Sequence, residues 1–211
     1  KAFFVELKEA GKKRGWAQVL EVREVPVLRK PHIHLALSMP RFSTFDWILE
    51  KAVELGVFQI HPFVSDHSFI KTLDRQMLAK RARWEKIVQS ASQQSGRGSL
   101  MEIMEPSTLD QVLAEFNLLE GCKGLFLYEG ATPHSIYDAT RNNRTSREWE
   151  KLDGFWIFIG SEGGFSTKEV EKFQGVGLLP ISLGEQILRV DTACVTVISI
   201  IKYELCLMEG K

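Results

Sequence analysis

Two glycine-bearing segments hold the residues whose types and spacing could do chemistry. The first is Phe155-Trp-Ile-Phe-Ile159-Gly160-Ser161-Glu162-Gly163-Gly164-Phe165-Ser166-Thr167-Lys168-Glu169. It reads as a buried strand entering a glycine loop, with Ser166 and Glu169 at capping-box spacing to open the next helix. Phe165 stands where a phosphate-binding G-x-x-x-x-G-K-[ST] loop needs its second glycine, and Ser161 and Glu162 break a G-x-G-x-x-G dinucleotide fingerprint. Glu162 would repel a pyrophosphate, yet it tolerates a ligand with a cationic centre and hydroxyl groups. A tight turn without a ligand is the competing reading. The second segment is Pro180-Ile-Ser-Leu183-Gly184-Glu-Gln-Ile187-Leu188-Arg189-Val190-Asp191-Thr192. Here Arg189 and Asp191 directly precede an apolar helix, where their bland roles are a structural ion pair and a helix N-cap. Ligands of open α/β sheets sit at the carboxyl ends of strands, so two such loops on neighbouring strands can line one pocket. His32 and His34 share a strand face, but no third ligand accompanies them, and the reading is structural with no metal site.

The elements that must position these loops follow from hydrophobic periodicity. Residues 2–7 and 16–25 predict two strands around the turn Glu9 to Gly15, a hairpin too small to stand alone, and a boundary at Pro26 to Pro31. From His32 onward strands alternate with helices, the pattern of an α/β domain with a largely parallel sheet. Strands are expected at 32–38, 57–61, 102–104, 124–128, 155–159 and 178–182. A first helix is expected to be capped by Ser43 or Thr44 and stopped by Gly56, and a second to run from an Asp74 cap to about Gln94. Segment 141–151 reads as a loop or short surface helix, and Asp191 to Leu207 as a helix apolar nearly all round, needing cover on two sides. A partner subunit or a monomeric core meets that need equally.

Composition narrows the class. The 211 residues are 44% hydrophobic and 10% aromatic, enough to bury a core, which excludes disorder. Three cysteines, Cys122, Cys194 and Cys206, form no C-x-x-C pair and read as reduced thiols of a cytoplasmic protein. No apolar run reaches bilayer length, so no membrane partner is expected. The first residue, Lys1, leads to the expectation of a piece of a longer chain. The 27 basic and 27 acidic side chains cancel, but unevenly: residues 1–100 hold 17 basic and 10 acidic, and residues 101–211 hold 10 and 17. Overall neutrality therefore conceals a basic half suited to nucleic acid and an acidic half containing both glycine loops. Within 71–97, Lys71, Arg75, Lys80, Arg81, Arg83, Lys86 and Arg97 outnumber Asp74 and Glu85 by five, either an RNA-facing patch or a solvated helix face.

Taken together, Ile159 to Ser166 (IGSEGGFS) and Leu183 to Thr192 resemble the two signature segments of the RsmE family of SPOUT-superfamily methyltransferases, which modify N3 of a uridine in 16S ribosomal RNA. Glu50-Lys-Ala-Val-Glu-Leu-Gly-Val57 and Ala91-Ser-Gln-Gln-Ser-Gly-Arg97 resemble two further family segments in the same order, so the resemblance covers residues 32–208. It implies a deep trefoil-knotted α/β domain over 31–211, a PUA-like β-barrel of which 1–30 is a remnant, S-adenosylmethionine as methyl donor, and a homodimer. The substrate it implies is 16S ribosomal RNA, free or in the small subunit. The cofactor would be held by Leu127, Ile159, Gly160, Glu162, Gly163, Leu183, Gly184, Ile187, Leu188 and Arg189. Arg189 would stabilise the deprotonated uridine or grip a phosphate, and Glu162 or Asp191 would accept the proton. Arg75, Arg81, Arg83, Gln94 and Arg97, with Arg189, are the RNA-binding candidates. Two departures stand out: Ser161 replaces the family's usual Pro, and Val190-Asp191-Thr192 its Thr-Glu-Thr. They motivate an alternative, a non-catalytic RNA-binding or ribosome-assembly protein. A nucleotide-dependent enzyme with an unusual glycine loop ranks below both.

Overall fold

The computed structural model describes residues 1–208 except Lys13, Pro26, Leu73 and Asp74, and gives only the backbone of Ala2, Arg75, Gln76, Leu78, Asn142, Arg144, Thr145 and Glu150. In chain order the elements are β1 (Ala2–Ala10), β2 (Gly15–Arg23), β3 (His32–Ser38), α1 (Phe42–Glu54), β4 (Gln59–Val64), α2 (Arg75–Ser95), β5 (Glu102–Ile103) and β6 (Ser107–Thr108). There follow α3 (Leu109–Leu118), β7 (Cys122–Leu127), α4 (Ile136–Ser146), a 3-10 turn (Trp149–Lys151), β8 (Gly154–Ile159), α5 (Thr167–Gly175), β9 (Leu179–Ile181) and α6 (Val190–Glu204).

Among the described residues β1 and β2 pair only with each other, antiparallel from Ala2↔Arg23 to Ala10↔Gly15, and leave Phe3, Leu7, Trp16 and Leu20 exposed. The remaining strands form one parallel sheet in the order β5-β4-β3-β8-β7-β9, with β6 added to β4. β3 and β8 lie at its centre, buried on both faces, which explains their almost unbroken apolar runs. Alternate side chains divide between two layers. Ile33, Leu35 and Leu37 with Phe155, Ile157 and Ile159 pack under α1, α2 and α6, while Ala36, Trp156 and Phe158 pack under α3 and α5.

The α/β class and parallel sheet agree with the sequence expectation, and several boundaries move. β4 begins two residues later than expected and runs through Pro62, which falls between the short pairings to β5 and β6 and so removes no ladder bond. Neither Ser43 nor Thr44 caps α1. Arg41, extended at ψ 144° directly after Pro40, occupies the cap position without a side-chain bond, and both hydroxyl residues fall inside the first turn. Gly56 does follow the helix, at φ +75°. The Asp74 cap lies outside the described residues. Segment 141–151 is the end of α4 plus the 3-10 turn, because Ile136, Ala139 and Thr140 supply an inward face that the polar tail conceals. Asp191 is not the cap of α6. Arg189 holds that position without a side-chain bond, while the Asp191 carboxylate accepts the Thr192 N–H at 2.8 Å inside the first turn.

Candidate active site

Because every strand pair in the main sheet is parallel, all carboxyl ends open on one side, and the loops there enclose a cleft of about 580 Å³. That volume suits a nucleoside-sized ligand. Its walls are the end of β7 with Leu127, Tyr128 and Glu129, the glycine loop after β8, the loop between β9 and α6, and the first turn of α1 with Arg41 and Thr44.

The glycine loop is shaped by backbone needs. Gly164 adopts φ +64° and donates its N–H to Ser161 O at 2.9 Å, closing a tight turn, and a side chain there would meet Glu129 Oε1 at 2.6 Å. Ser166 then caps α5, accepting the Glu169 N–H while the Glu169 carboxylate accepts the Ser166 N–H, the reciprocal box expected from sequence. A second loop, between β4 and α2, fastens to this one. Ser161 Oγ donates to His67 O at 2.7 Å, the His67 ring lies 2.9 Å from Gly163 O, and Ser166 Oγ donates to Asp66 at 2.6 Å. Glu169 also accepts the Asp66 N–H at 2.8 Å. The hydroxyl at Ser161, one of the two departures noted above, is thus a strut between loops.

Of the cofactor candidates, Leu127, Ile159, Gly160, Glu162, Leu183, Gly184, Ile187, Leu188 and Arg189 all line the cleft, whereas Gly163 does not. Gly163 packs behind the wall, where an added Cβ would stand 2.9 Å from His67 Cβ. Arg189, Glu162 and Asp191, the three candidates for chemistry, share the same cleft, and Arg189 and Glu162 are exposed to solvent. Sequence reasoning missed Arg41, Thr44, Tyr128, Glu129 and Glu185. Tyr128 and Glu129 were in principle findable, since they end the strand beside the glycine loop. Thr44 enters the sequence reading only as a cap candidate, and no local signal singles out Arg41.

The helix candidates for RNA separate. Arg81 pairs with Glu85 and Glu105, and Arg83 with Asp46 at 2.8 Å. The Arg75 side chain lies outside the described residues, and Gln94 is exposed. Arg97 turns inward: it donates to Val53 O at 3.4 Å at the far end of α1, and burial lowers its guanidinium to about 10. Since Thr44 lines the cleft and Val53 lies nine residues further along α1, about 1.5 Å rise per residue puts the Arg97 contact roughly 13 Å away.

The cleft offers what S-adenosylmethionine requires. Leu127, Ile159, Ile181, Leu183 and Leu188 give the cleft apolar walls, and Glu129, Glu162, Glu185 and Asp191 give it carboxyl groups, a lining whose chemistry fits an adenine ring beside a cationic sulfonium and ammonium. Comparisons with known proteins point the same way. A family model described as an RNA methyltransferase domain matches residues 28–202. The ribosomal RNA small subunit methyltransferase E of Bacillus subtilis is 30% identical over 190 residues, 90% of this chain and 71% of that protein. Its counterpart in Buchnera aphidicola subsp. Schizaphis graminum is 32% identical over 79% of this chain, which spans only 63% of that relative's length. Among solved structures, a methyltransferase of Legionella pneumophila with bound cofactor SAM superposes with a TM-score of 0.83 at 28% identity, covering 95% of this chain and 78% of that one. With both glycine loops, the parallel sheet and nearly the whole chain inside these matches, the chain belongs to the RNA methyltransferase domain family, among the small-subunit ribosomal RNA methyltransferase E proteins.

Proposed function

We propose that the chain methylates N3 of a uridine in 16S ribosomal RNA using S-adenosylmethionine, as a cytoplasmic homodimer. The observation that carries this reading is the convergence of two glycine loops, four acidic groups and two arginines, Arg41 and Arg189, on one cleft at the carboxyl edge of the sheet. When bound there, S-adenosylmethionine supplies an electrophilic methyl group and a neutral thioether leaving group. The protein's share is to bind, orient and adjust charge. Gly160, Leu183, Gly184 and Leu188 hold the adenosine through backbone groups, with Ile187 and Leu188 against the adenine. Uridine N3 must lose its proton before its lone pair can form the new N–C bond. Arg189 stands at the first turn of α6, so its guanidinium and the helix N-terminus together favour the resulting anion. Glu162 or Asp191 takes the proton.

Other features support the assembly. The α6 face carrying Val195, Ser199 and Ile200 is only half covered and ends at Tyr203, 66% exposed, which suits a second copy of the chain. The return of α6 from the edge strand β9 across β8 to α1 suits a knotted SPOUT topology. The apolar side chains exposed on β1 and β2 suit membership of a PUA-like β-barrel. No helix of the described residues is long and apolar enough to cross a membrane.

The test is mass mapping of modified uridine after incubating ribosomal RNA or 30S subunits with S-adenosylmethionine and the protein or its Arg189→Ala variant. A methyl group at N3 with the wild type, lost at least a hundredfold with the variant, is expected. Turnover unchanged in the variant removes Arg189 from the mechanism, and no binding of S-adenosylmethionine by calorimetry overturns the enzymatic reading.

A further inference from the structure

The rim of the cleft carries a feature outside the cofactor site. Phe69 is 58% exposed, although its backbone is firmly held: its N–H donates to Met39 O at 3.0 Å. The loop beneath it is built for rigidity. Ser38 Oγ, buried in the sheet, lies 2.6 Å from Ser65 Oγ and 2.9 Å from Ser68 Oγ, and Ser68 Oγ also accepts the Ser65 N–H at 2.7 Å. The same loop is tied to the glycine loop through Asp66 and His67. A phenyl ring held in this position on a braced loop is left largely open to a ligand. Over this ring lies the Arg41 guanidinium, 4.8 Å from its centroid. Arg41 is exposed, lines the cleft, and has no carboxylate partner among the described ion pairs, whereas Arg81 and Arg83 on α2 are both paired.

We infer that Phe69 and Arg41 form a landing platform for single-stranded RNA at the mouth of the cleft. An unpaired base flanking the target uridine stacks on Phe69, and Arg41, poised over the same ring, binds the adjoining phosphate. An aromatic ring with a guanidinium over one face offers what unstacked RNA needs, since every base has a π face and every linkage a charge. The contact fixes the strand relative to the cleft, so Phe69 and Arg41 are positioning residues for the target base. The inference rests on the RNA methyltransferase reading and adds where the strand enters.

The experiment is fluorescence anisotropy of a labelled oligouridine with the full chain, its Phe69→Ala, Phe69→Trp and Arg41→Ala variants, and calorimetry of each with S-adenosylhomocysteine. Phe69→Ala is expected to weaken oligouridine binding roughly tenfold, and Phe69→Trp to restore it. Arg41→Ala is expected to make the slope of log K against log salt shallower by about 0.7, one phosphate contact on a single strand. Cofactor-product binding by Phe69→Ala should match the wild type, which shows that the fold is intact. Wild-type affinity for oligouridine in Phe69→Ala, or no binding by the wild type itself, overturns the platform while leaving cofactor binding as evidence for the enzyme. Failure to bind S-adenosylhomocysteine instead sinks the methyltransferase reading, independently of the RNA result.

Discussion

Acidification should destabilise this fold through two histidines buried under the sheet. His34 and His61 are 8% and 1% exposed, with Nδ1 of one 3.3 Å from Nε2 of the other. Both rings pack on Trp156, His34 stacked at 4.7 Å and His61 tilted at 4.2 Å. Burial and the neighbouring His32 pull His34 down to about 4, against a hydrogen bond to Gln59 that acts upward, and burial and His34 pull His61 down to about 3. Both are therefore neutral in the folded chain at pH 5, while in the unfolded chain they titrate near 6.5. The unfolded state thus binds more protons below pH 6.5, so the stability present at neutral pH is lost as pH falls toward the folded values. Between pH 7 and pH 5 each histidine contributes a loss of about 2 kcal/mol, or about 4 kcal/mol for the pair. Glu115, whose carboxylate lies 3.5 Å from His61, works the other way: burial and Glu102 raise its pKa, so the folded state holds its proton more readily on acidification. A net loss of about 2 to 4 kcal/mol is expected, a large share of a typical domain's stability. Urea unfolding at pH 7, 6 and 5 measures it, with His61→Gln expected to halve the pH slope. A stability change under about 1 kcal/mol across this range, or an unaltered slope in His61→Gln, would refute the reasoning.

Two substitutions test the loops around the cleft. Gly164→Ala places a Cβ at φ +64° and 2.6 Å from Glu129 Oε1, so a stability loss of about 1 to 2 kcal/mol and weaker S-adenosylmethionine binding are expected. Unchanged melting temperature and affinity would contradict the account of that turn. Ser166→Ala removes the α5 cap and the 2.6 Å bond to Asp66, for an expected loss of about 1 to 2 kcal/mol read from thermal melting, and a change under about 0.3 kcal/mol would count against the strut between the two loops.

Local signals made much of this fold legible. Hydrophobic runs located six of the strands of the main sheet, and the Ser166 to Glu169 spacing located the start of α5. The same signal was present at Thr108 to Gln111, where a reciprocal capping box opens α3, an element the periodicity reading passed over. The two glycine loops stood out from residue types alone, because tight turns at strand ends demand glycine whatever surrounds them.

What the sequence by itself determined is the alternation of strands and helices, the central apolar strands, and the pair of loops that could share a pocket. The tertiary structure decided what those residues meet. Arg97, read from its charge as an RNA contact, is drawn under α1 by a carbonyl 44 residues away in the chain, while Arg41, which no local signal singles out, stands at the cleft with no carboxylate partner among the described residues. Glu129 enters the site only because β7 lies beside β8. Ser161 becomes a strut only because the loop after β4 comes within 2.7 Å of it. Charge and spacing are properties of the chain, whereas pairing and burial depend on which distant segments share a sheet edge.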